Sequence, residues 1–406
     1  MLLSLKVKNY RSFKEEQGIS FVLNKDERSD KSRRFEVKTK LGTIRVLKNA
    51  MIYGANASGK SNILKALFQL SALILNPNQN DEQGLFSDSF ASNKENTRFE
   101  VVFLKHESIF KYILEYNRNE VVFERLEQDE ELIFERNYQE FVFSDINAQV
   151  NYLVATIRKT SLALFFAQNN NVKAARIAFS WFYDLQNPNS GNVFQKLRDD
   201  SNFKERVLYA MRFADFNIFD IEIEENLRPS LSFGMKIDMK EAKGAENFQQ
   251  QLTMQNVTEI YLVHENNGKS FRILLQNESE GTQQYFNMIL LLLGGNSVKD
   301  IVILNDEFDR SLHKKLTQSF VNLINSEKNN IQFISTTHDS SLMDILQKHQ
   351  IYFVEKNSDG ESEIYKLSEF DGIRKETKIS PKYEAGLFGA IQEVNEAGLM
   401  GILEED

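Results

Sequence analysis

A glycine-rich segment at residues 54–61 has the spacing of a phosphate-binding loop. It reads Gly-Ala-Asn-Ala-Ser-Gly-Lys-Ser and matches the pattern G-x-x-x-x-G-K-[ST]. Two glycines let such a loop curl so that successive N–H groups surround an anion. The lysine then reaches the outer phosphates of a nucleotide, and the final hydroxyl can ligate Mg²⁺. The residues expected to bind the nucleotide are Gly54, Asn56, Ala57, Ser58, Gly59, Lys60, Ser61 and Asn62.

The segments on either side of this loop support the interpretation. Residues 50–53 form a short apolar run that predicts a strand, and residues 62–68 have the spacing of an amphipathic helix. A helix that begins near Lys60 would point the positive end of its dipole at the same anion. An accidental glycine-rich turn before a helix is the competing interpretation, and both flanks disfavour it.

A second candidate site element lies far along the chain, where residues 301–307 read Ile-Val-Ile-Leu-Asn-Asp-Glu. This is a buried strand that ends in two acids, although Asn305 interrupts its apolar run. A Mg²⁺–nucleotide site needs a carboxylate at a strand tip near the phosphate loop. We therefore expect Asp306 to bind Mg²⁺ together with Ser61. Glu307 can orient and deprotonate an attacking water; the alternative is an acidic pair that only solvates the strand end.

Two further motifs flank the acidic strand. Residues 279–282, Ser-Glu-Gly-Thr, precede a helix predicted at 285–293, where Ser279 is also a favourable N-cap. Residues 331–336 predict a strand, which is followed by Thr337 and His338. A lone histidine at a strand end is more often structural. Its position after the acidic pair favours a role at the site.

These motifs, with Asn-Tyr-Arg-Ser-Phe at residues 9–13 and Asp-Arg-Ser-Leu-His at 309–313, resemble a known group of proteins in their order and spacing. They look like the AAA-like, OLD/ABC-type ATPases of bacterial anti-phage and abortive-infection systems, in particular the RloA-like branch. The resemblance covers nearly the whole chain. One departure lies at residues 279–282, which correspond to the signature motif of these ATPases. They read Ser-Glu-Gly-Thr where the family has Ser-Gly-Gly.

The resemblance implies ATP and Mg²⁺ as cofactors and hydrolysis in a head-to-tail dimer. Ser279 and Gly281 of one subunit would bind the γ-phosphate held by the other, His338 would contact the same phosphate, and residues 309–313 would line the dimer seam. Arg11 would lie near the nucleotide, although an arginine at an exposed strand end is an equal alternative. Tyr10 or Phe13 would suit stacking on adenine, and nothing in the sequence selects one of them.

The elements that position these motifs predict an α/β fold, an ABC/SMC-type P-loop ATPase head with an antiparallel β subdomain and a modest helical insertion. Residues 1–149 would form the N-terminal part of the head with an antiparallel meander, 150–215 the insertion, and 216–406 the C-terminal part. The strands predicted outside the motifs are 2–8, 19–23, 35–37, 99–104, 110–116, 121–126, 216–224, 259–263, 271–275, 351–354 and 363–367. The helices predicted there are 152–165, 175–182, 207–213, 314–325 and 342–346.

Composition excludes several classes of protein. The chain has 406 residues, a net charge of −9 and no cysteine, which rules out disulfides and thiolate metal sites. The longest apolar stretch, 288–293, is far too short for a membrane span, and no secretory signal is recognisable. We expect a cytoplasmic protein without a membrane partner. The acidic balance does not favour a polyanion, but the basic segment at residues 31–40 suits either nucleic acid or a solvated loop.

The leading hypothesis is an ATPase switch that works as a homodimer or higher homo-oligomer and controls a separate nuclease or toxin. The alternative is a RecF/SMC-like DNA-repair ATPase; a scaffold that binds ATP without turnover is disfavoured by Glu307 and His338. The sequence after His338 is shorter than the roughly 100 residues usual for an added domain. Its apolar stripe at helical spacing would dock a partner or pack on its own domain, and consists of Leu387, Phe388, Ala390, Ile391 and Val394.

Overall fold

A computed structural model describes residues 1–25, 27–78, 84–144, 156–186, 193–214, 216–235, 248–295, 300–374 and 376–392, with the backbone alone at 228–235 and 248–256. The chain forms two compact units, Met1–Gly191 with Gly294–Asp406, and Asn192–Leu293. The division of the sequence at residues 150 and 216 stays a prediction, and the compact units follow different boundaries.

The strands are β1 (Leu2–Lys8), β2 (Gln17–Ser20), β3 (Arg34–Thr39), β4 (Gly42–Leu47), β5 (Asn49–Tyr53), β6 (Thr97–Lys105), β7 (Ser108–Tyr116), β8 (Val121–Gln128), β9 (Glu131–Asn137), β10 (Glu140–Phe143), β11 (Asp220–Met235), β12 (Phe248–Asn266), β13 (Lys269–Leu274), β14 (Val302–Asn305), β15 (Gln332–Thr336), β16 (Ile351–Lys356) and β17 (Ser362–Lys366). The α-helices are α1 (Lys60–Leu75), α2 (Ala163–Asn169), α3 (Lys173–Gln186), α4 (Val193–Asp199), α5 (Ser201–Phe213), α6 (Glu280–Gly295), α7 (Lys314–Ile324) and α8 (Ser380–Glu384).

The first unit contains a five-stranded sheet in the order β14-β15-β5-β16-β17. The first four strands run parallel, and β17 is antiparallel to β16. Every residue of β5 and β15 is buried, as is typical of strands in a parallel sheet that is covered on both faces, although β15 includes the polar residues Gln332, Ser335 and Thr336. Parallel strands end at the same edge of a sheet, so the loops that follow β5, β14 and β15 meet there. This topology brings the glycine-rich loop, the acidic pair and the Thr-Thr-His segment together.

The same unit also contains a seven-stranded antiparallel sheet in the order β10-β9-β8-β7-β6-β1-β2 and the two-stranded sheet β3-β4. The predicted meander is confirmed and is longer than expected, since β9 and β10 continue it. Helix α3 packs on this sheet, where Trp181 stacks on Phe103 with ring centroids 4.2 Å apart. Gln186 at the end of α3 also donates a hydrogen bond to the Phe68 carbonyl of α1. Helix α3 therefore belongs to the first unit.

The second unit combines the antiparallel sheet β11-β12-β13 with helices α4 and α5 and most of α6. The ring of Tyr285 on α6 lies 5.3 Å from that of Phe216, and its hydroxyl donates to the Ala210 carbonyl on α5. Strands β11 and β12 pair from Asp220↔Val263 to Met235↔Phe248. Both strands extend well beyond the segments predicted at 216–224 and 259–263. The outer part of β11 carries Leu231, Phe233 and Met235 at every second position, an alternation that the prediction missed.

The predicted helices agree with the structure in part. Helices α3 and α5 are confirmed, α2 covers the end of the candidate at 152–165, whose start lies outside the described residues, and α4 was not predicted. The described residues of the C-terminal apolar stripe, 387–391, do not form a helix despite their helical spacing. Helix α8 ends at Glu384, and Gly386 and Gly389 have positive φ angles of 79° and 65° that interrupt a helix; Val394 lies outside the described residues.

The fold class expected from the sequence is confirmed. The α/β core with a phosphate loop between β5 and α1 is accompanied by an antiparallel β subdomain and by a modest set of helices. Within the described part of the chain, no helix is both long and apolar enough to span a bilayer.

Candidate functional site

The backbone of the glycine-rich loop is tightly surrounded. A Cβ atom on Gly54 would collide with the Val354 carbonyl oxygen, and one on Gly59 would lie 2.5 Å from the hydroxyl oxygens of Ser12 and Ser362. Gly59 also has a φ of 103°, which a side chain disfavours. The Ser362 hydroxyl donates to the Ser58 carbonyl at 2.6 Å. Both glycines are therefore required for this curled loop, as their spacing predicted.

The ammonium group of Lys60 lies inside the loop. Its Nζ donates to the carbonyl oxygens of Gly54 at 2.9 Å and Ala55 at 2.8 Å, and the residue is only 6% exposed. Burial lowers the pKa of Lys60 below its usual value, while the negative charges of Glu307 and Asp306 oppose this shift. Among the described residues no carboxylate forms an ion pair with Lys60, so an anion that binds in the loop would stabilise the charged form of this side chain.

A side-chain hydrogen bond joins the start of α1 to the end of β14. The Ser61 hydroxyl donates to Oδ1 of Asp306 at 2.7 Å. Hydroxyl and carboxylate oxygens are the hard ligands that Mg²⁺ prefers. The chemistry of this pair therefore fits Mg²⁺, with Ser61 and Asp306 as the residues that would hold it.

Glu307 lies in a tight turn directly after Asp306. Its φ is 53°, a left-handed value that is uncommon for a residue with a side chain. Its N–H donates to the Thr336 hydroxyl at 2.8 Å, and its carbonyl accepts the Arg310 N–H at 3.0 Å. The same Thr336 hydroxyl donates to Oδ1 of Asp306 at 2.6 Å. The sequence pattern gave no indication that Thr336 would contact both acids.

His338 lies in the same region and is held from the side of the acidic turn. Its backbone N–H donates to Oδ2 of Asp309 at 3.3 Å. Desolvation lowers the pKa of His338 below 6.5, and the nearby charge of Lys60 lowers it further, against the opposing effect of Asp309. The lowered pKa favours the neutral form of the imidazole in the nucleotide-free chain. The structure thus brings together Lys60, Ser61, Asp306, Glu307 and His338.

The turn at residues 9–13 contacts the first turn of α1. The Asn62 amide donates to the Ser12 hydroxyl at 2.8 Å, a contact that the sequence did not predict. Arg11 places its Nε 2.7 Å from a carboxylate oxygen of Asp88. Its predicted role near the nucleotide stays a prediction. Tyr10 and Phe13 are 1% and 0% exposed, so neither presents a ring face to adenine, and that expectation is wrong: both belong to the core.

The C-terminal segment reaches the glycine-rich loop, which the sequence did not predict. Oε1 of Gln392 accepts the backbone N–H of Asn56 at 2.9 Å. The segment is anchored by Phe388, which is 2% exposed and stacks on Phe353 with ring centroids 5.9 Å apart. Its carbonyl also accepts the Tyr365 hydroxyl at 2.8 Å. Of the two roles expected for the apolar stripe, packing on its own unit is the one observed for Phe388.

Ser279 and Gly281 lie in the second compact unit, at the start of α6. The Ser279 hydroxyl accepts the Thr282 N–H at 3.2 Å and lies 2.8 Å from the Thr282 hydroxyl. Ser279 is therefore the N-cap of α6, and Gly281 lies in its first turn. Their role toward a second subunit stays a prediction.

Several solved structures are similar to this chain. The SMC head domain from Thermotoga maritima is 17% identical, with a TM-score of 0.41, and the alignment covers 90% of this chain and 98% of that one. A Smc head domain with an extended coiled coil, bound to the C-terminal domain of ScpA and derived from Pyrococcus furiosus, is 11% identical with a TM-score of 0.45, covering 90% and 96%.

No curated protein is similar enough in sequence to count as a relative. A family profile does match, and the match extends over most of the chain, from β5 and the glycine-rich loop to the residues after His338. Because the profile described as "AAA domain, putative AbiEii toxin, Type IV TA system" matches residues 50–344, the chain belongs to this family of AAA domains.

Proposed function

We propose that this chain is a cytoplasmic ATPase switch of a bacterial anti-phage defence system, related to the RloA-like branch, and that it controls a separate effector protein. The observation that carries the ATPase part is the hydrogen bond between Ser61 and Asp306. These residues are 245 positions apart in sequence, yet their oxygens lie 2.7 Å from each other beside the buried Lys60. A hydroxyl, a carboxylate and a cation in this arrangement suit MgATP.

Each residue has a distinct role in the proposed reaction. The loop amides and Lys60 bind the phosphates, and bound Mg²⁺ would offset their negative charge. Glu307 accepts a proton from a water whose oxygen attacks the γ-phosphorus. The bond from that phosphorus to the β–γ bridging oxygen breaks, and ADP and phosphate leave. The ring of His338 orients the terminal phosphate.

The proposed switch uses two copies of the chain. As the resemblance to OLD/ABC-type ATPases implies, Ser279 and Gly281 of one subunit complete the site built on Lys60 of the other. ATP would then favour the dimer and hydrolysis would release it. The family profile supports the defence context because its description names an AbiEii toxin and a toxin–antitoxin system.

Substitutions in the loop and the acidic turn test the ATPase. Lys60→Ala should abolish nucleotide binding, whereas Lys65→Ala, an exposed lysine on the same helix, should bind as the wild type does. Glu307→Gln should bind MgATP but lose turnover, while Glu363→Gln, exposed on β17, should retain it. Wild-type turnover in Glu307→Gln would show that another group accepts the proton.

The defence role needs an experiment in cells. A bacterial strain that carries the gene with its neighbours would be challenged with phage, with the gene intact or as Lys60→Ala. Protection that depends on Lys60 but not on Lys65 supports the switch. Equal survival of the strain with and without the whole gene would contradict it, even if the purified chain hydrolyses ATP.

A further inference from the structure

The contacts around the acidic turn converge on one buried hydroxyl. Thr336 is the last residue of β15 and is 0% exposed. Its Oγ1 donates to Oδ1 of Asp306 at 2.6 Å and accepts the Glu307 N–H at 2.8 Å. Its backbone carbonyl accepts the Phe308 N–H at 3.3 Å. One residue of the neighbouring strand thus contacts three successive residues of the turn.

We propose that Thr336 is a positioning residue that sets the geometry of the metal-binding and proton-accepting acids. This inference rests on the proposed ATPase function and extends it to a residue outside the nucleotide-binding set. A hydroxyl has one proton to donate and two lone pairs. Because Thr336 donates its hydroxyl proton to Asp306, the lone pairs of the same Oγ1 atom point in fixed directions, and one of them accepts the Glu307 N–H. The two bonds therefore orient the acids relative to each other.

The conformation of Glu307 explains why such a contact is needed. Its φ of 53° is unfavourable for a residue with a side chain, so the turn requires interactions that hold it. The Thr336 bond to the Glu307 N–H is one of these, and it stabilises the backbone from which the proposed base projects. Asp306 also accepts the Ser61 hydroxyl on the same Oδ1. If Ser61 turns toward a metal, the Thr336 bond still orients the Asp306 carboxylate.

The position of Thr336 also links the acids to His338. The strands β14 and β15 pair in parallel, with Asn305 opposite Ser335, so the ends of both strands are in register. Thr336 follows Ser335 directly and precedes His338 by two residues. Thr336 therefore lies between the acids and the segment that carries His338, and it is held in β15 by pairing with Ile52 of β5.

The variants Thr336→Val and Thr336→Ser separate positioning from packing. Valine matches the shape of threonine without the hydroxyl, and serine keeps the hydroxyl without the methyl group. Thr317→Val is a matched control, because Thr317 is 1% exposed on α7 and its hydroxyl donates to the Lys314 carbonyl. The measurements are kcat and KM for MgATP, the Kd for ATP with and without Mg²⁺, and the thermal unfolding midpoint.

For Thr336→Val we expect kcat to fall about 10- to 100-fold, as for the loss of a hydrogen bond to a charged group. The Mg²⁺ concentration for half-maximal rate should rise, and the metal-free Kd for ATP should stay close to the wild-type value. Thr336→Ser should recover most of kcat, and Thr317→Val should match the wild type in all kinetic constants.

Two outcomes overturn the inference. One is a Thr336→Val chain with wild-type kcat and Mg²⁺ dependence. The other is a Thr336→Ser chain whose kcat is reduced as much as that of Thr336→Val, with metal-free ATP binding lost in both. That result would mean that Thr336 acts only through packing. If the wild-type chain itself neither binds nor hydrolyses MgATP, the proposed function fails, and this inference fails with it.

Discussion

The hydroxyl of Ser61 donates a 2.7 Å hydrogen bond to Oδ1 of Asp306 and so joins the first turn of α1 to the tip of β14. The contact exists because β5 and β14 run parallel in one sheet, with β15 between them. The order of the strands therefore sets the distance between the phosphate loop and the acid. The two oxygens are close enough to serve one Mg²⁺.

The first prediction concerns metal dependence. Asp306→Asn removes a negative charge and one hard oxygen ligand, so Mg²⁺ should no longer tighten ATP binding, while metal-free ATP binds at least as well as in the wild type. Ser61→Ala should have the same effect to a smaller degree, since a hydroxyl is a weaker ligand. Titration calorimetry with and without Mg²⁺ measures both. Asp359→Asn, in the turn between β16 and β17, is the control, and Mg²⁺-tightened binding in Asp306→Asn would refute the assignment.

The second prediction concerns the pKa of His338. Desolvation and the charge of Lys60 lower this pKa below 6.5 in the nucleotide-free chain. Lys60→Ala should therefore raise it, because one of the two causes is removed. NMR titration of the histidine ring, identified by its absence in His338→Gln, measures the shift.

The lowered pKa of His338 also makes the stability of the fold depend on pH. A lowered pKa in the folded state means that the unfolded chain binds the proton first, so the free energy of unfolding should fall as the pH drops below 6.5. His338→Gln should show a weaker dependence in that range. A folded-state pKa of His338 at or above 6.5 without nucleotide would contradict both expectations.

The third prediction concerns Gln392. Its side chain accepts the Asn56 N–H, a loop donor that a phosphate would need. Gln392→Ala should therefore tighten nucleotide binding by about 2- to 10-fold, as expected from one competing hydrogen bond. Gln392→Glu should weaken it, since it adds a negative charge beside the loop. Gln168→Ala, whose side chain bonds Asn169 on α2, serves as the control. Weaker binding in Gln392→Ala would identify the side chain as a nucleotide ligand instead.

The fourth prediction concerns the dimer. If Ser279 of one subunit completes the site of the other, ATP should double the mass of the Glu307→Gln chain measured by light scattering. Ser279→Arg places bulk and charge at the start of α6 and should prevent this without affecting ATP binding. An equal mixture of Lys60→Ala and Ser279→Arg chains should recover part of the activity, because one site per mixed dimer is intact. An unchanged mass with ATP would count against the dimer.

Much of the candidate site follows from local sequence. The glycine spacing from Gly54 to Gly59, the apolar strand before it and the acids after residues 301–304 each express one local constraint. These constraints are backbone conformation, burial of a strand on both faces and exposure of charge at its end. Since these constraints act within a few residues, they can be recognised from the sequence without knowledge of the fold. The loop and both strands accordingly lie where the pattern predicted them.

Other features were decided only by tertiary structure. The contacts of Thr336 with Asp306, of Ser12 with Asn62 and of Gln392 with Asn56 join residues 30, 50 and 336 positions apart. The local sequence does not predict these contacts, because a hydroxyl or amide side chain can hydrogen-bond to water at the surface as well as to a buried partner.

The aromatic residues and the C-terminal stripe make the same point. The burial of Tyr10 and Phe13 depends on the sheet that covers them. The apolar residues after α8 have helical spacing, but turns at Gly386 and Gly389 interrupt them and place Phe388 on Phe353. Sequence by itself determined the loop, the acids and the elements that carry them. The order of strands in the sheet decided which distant side chains meet, because packing brings residues together by topology and not by spacing along the chain.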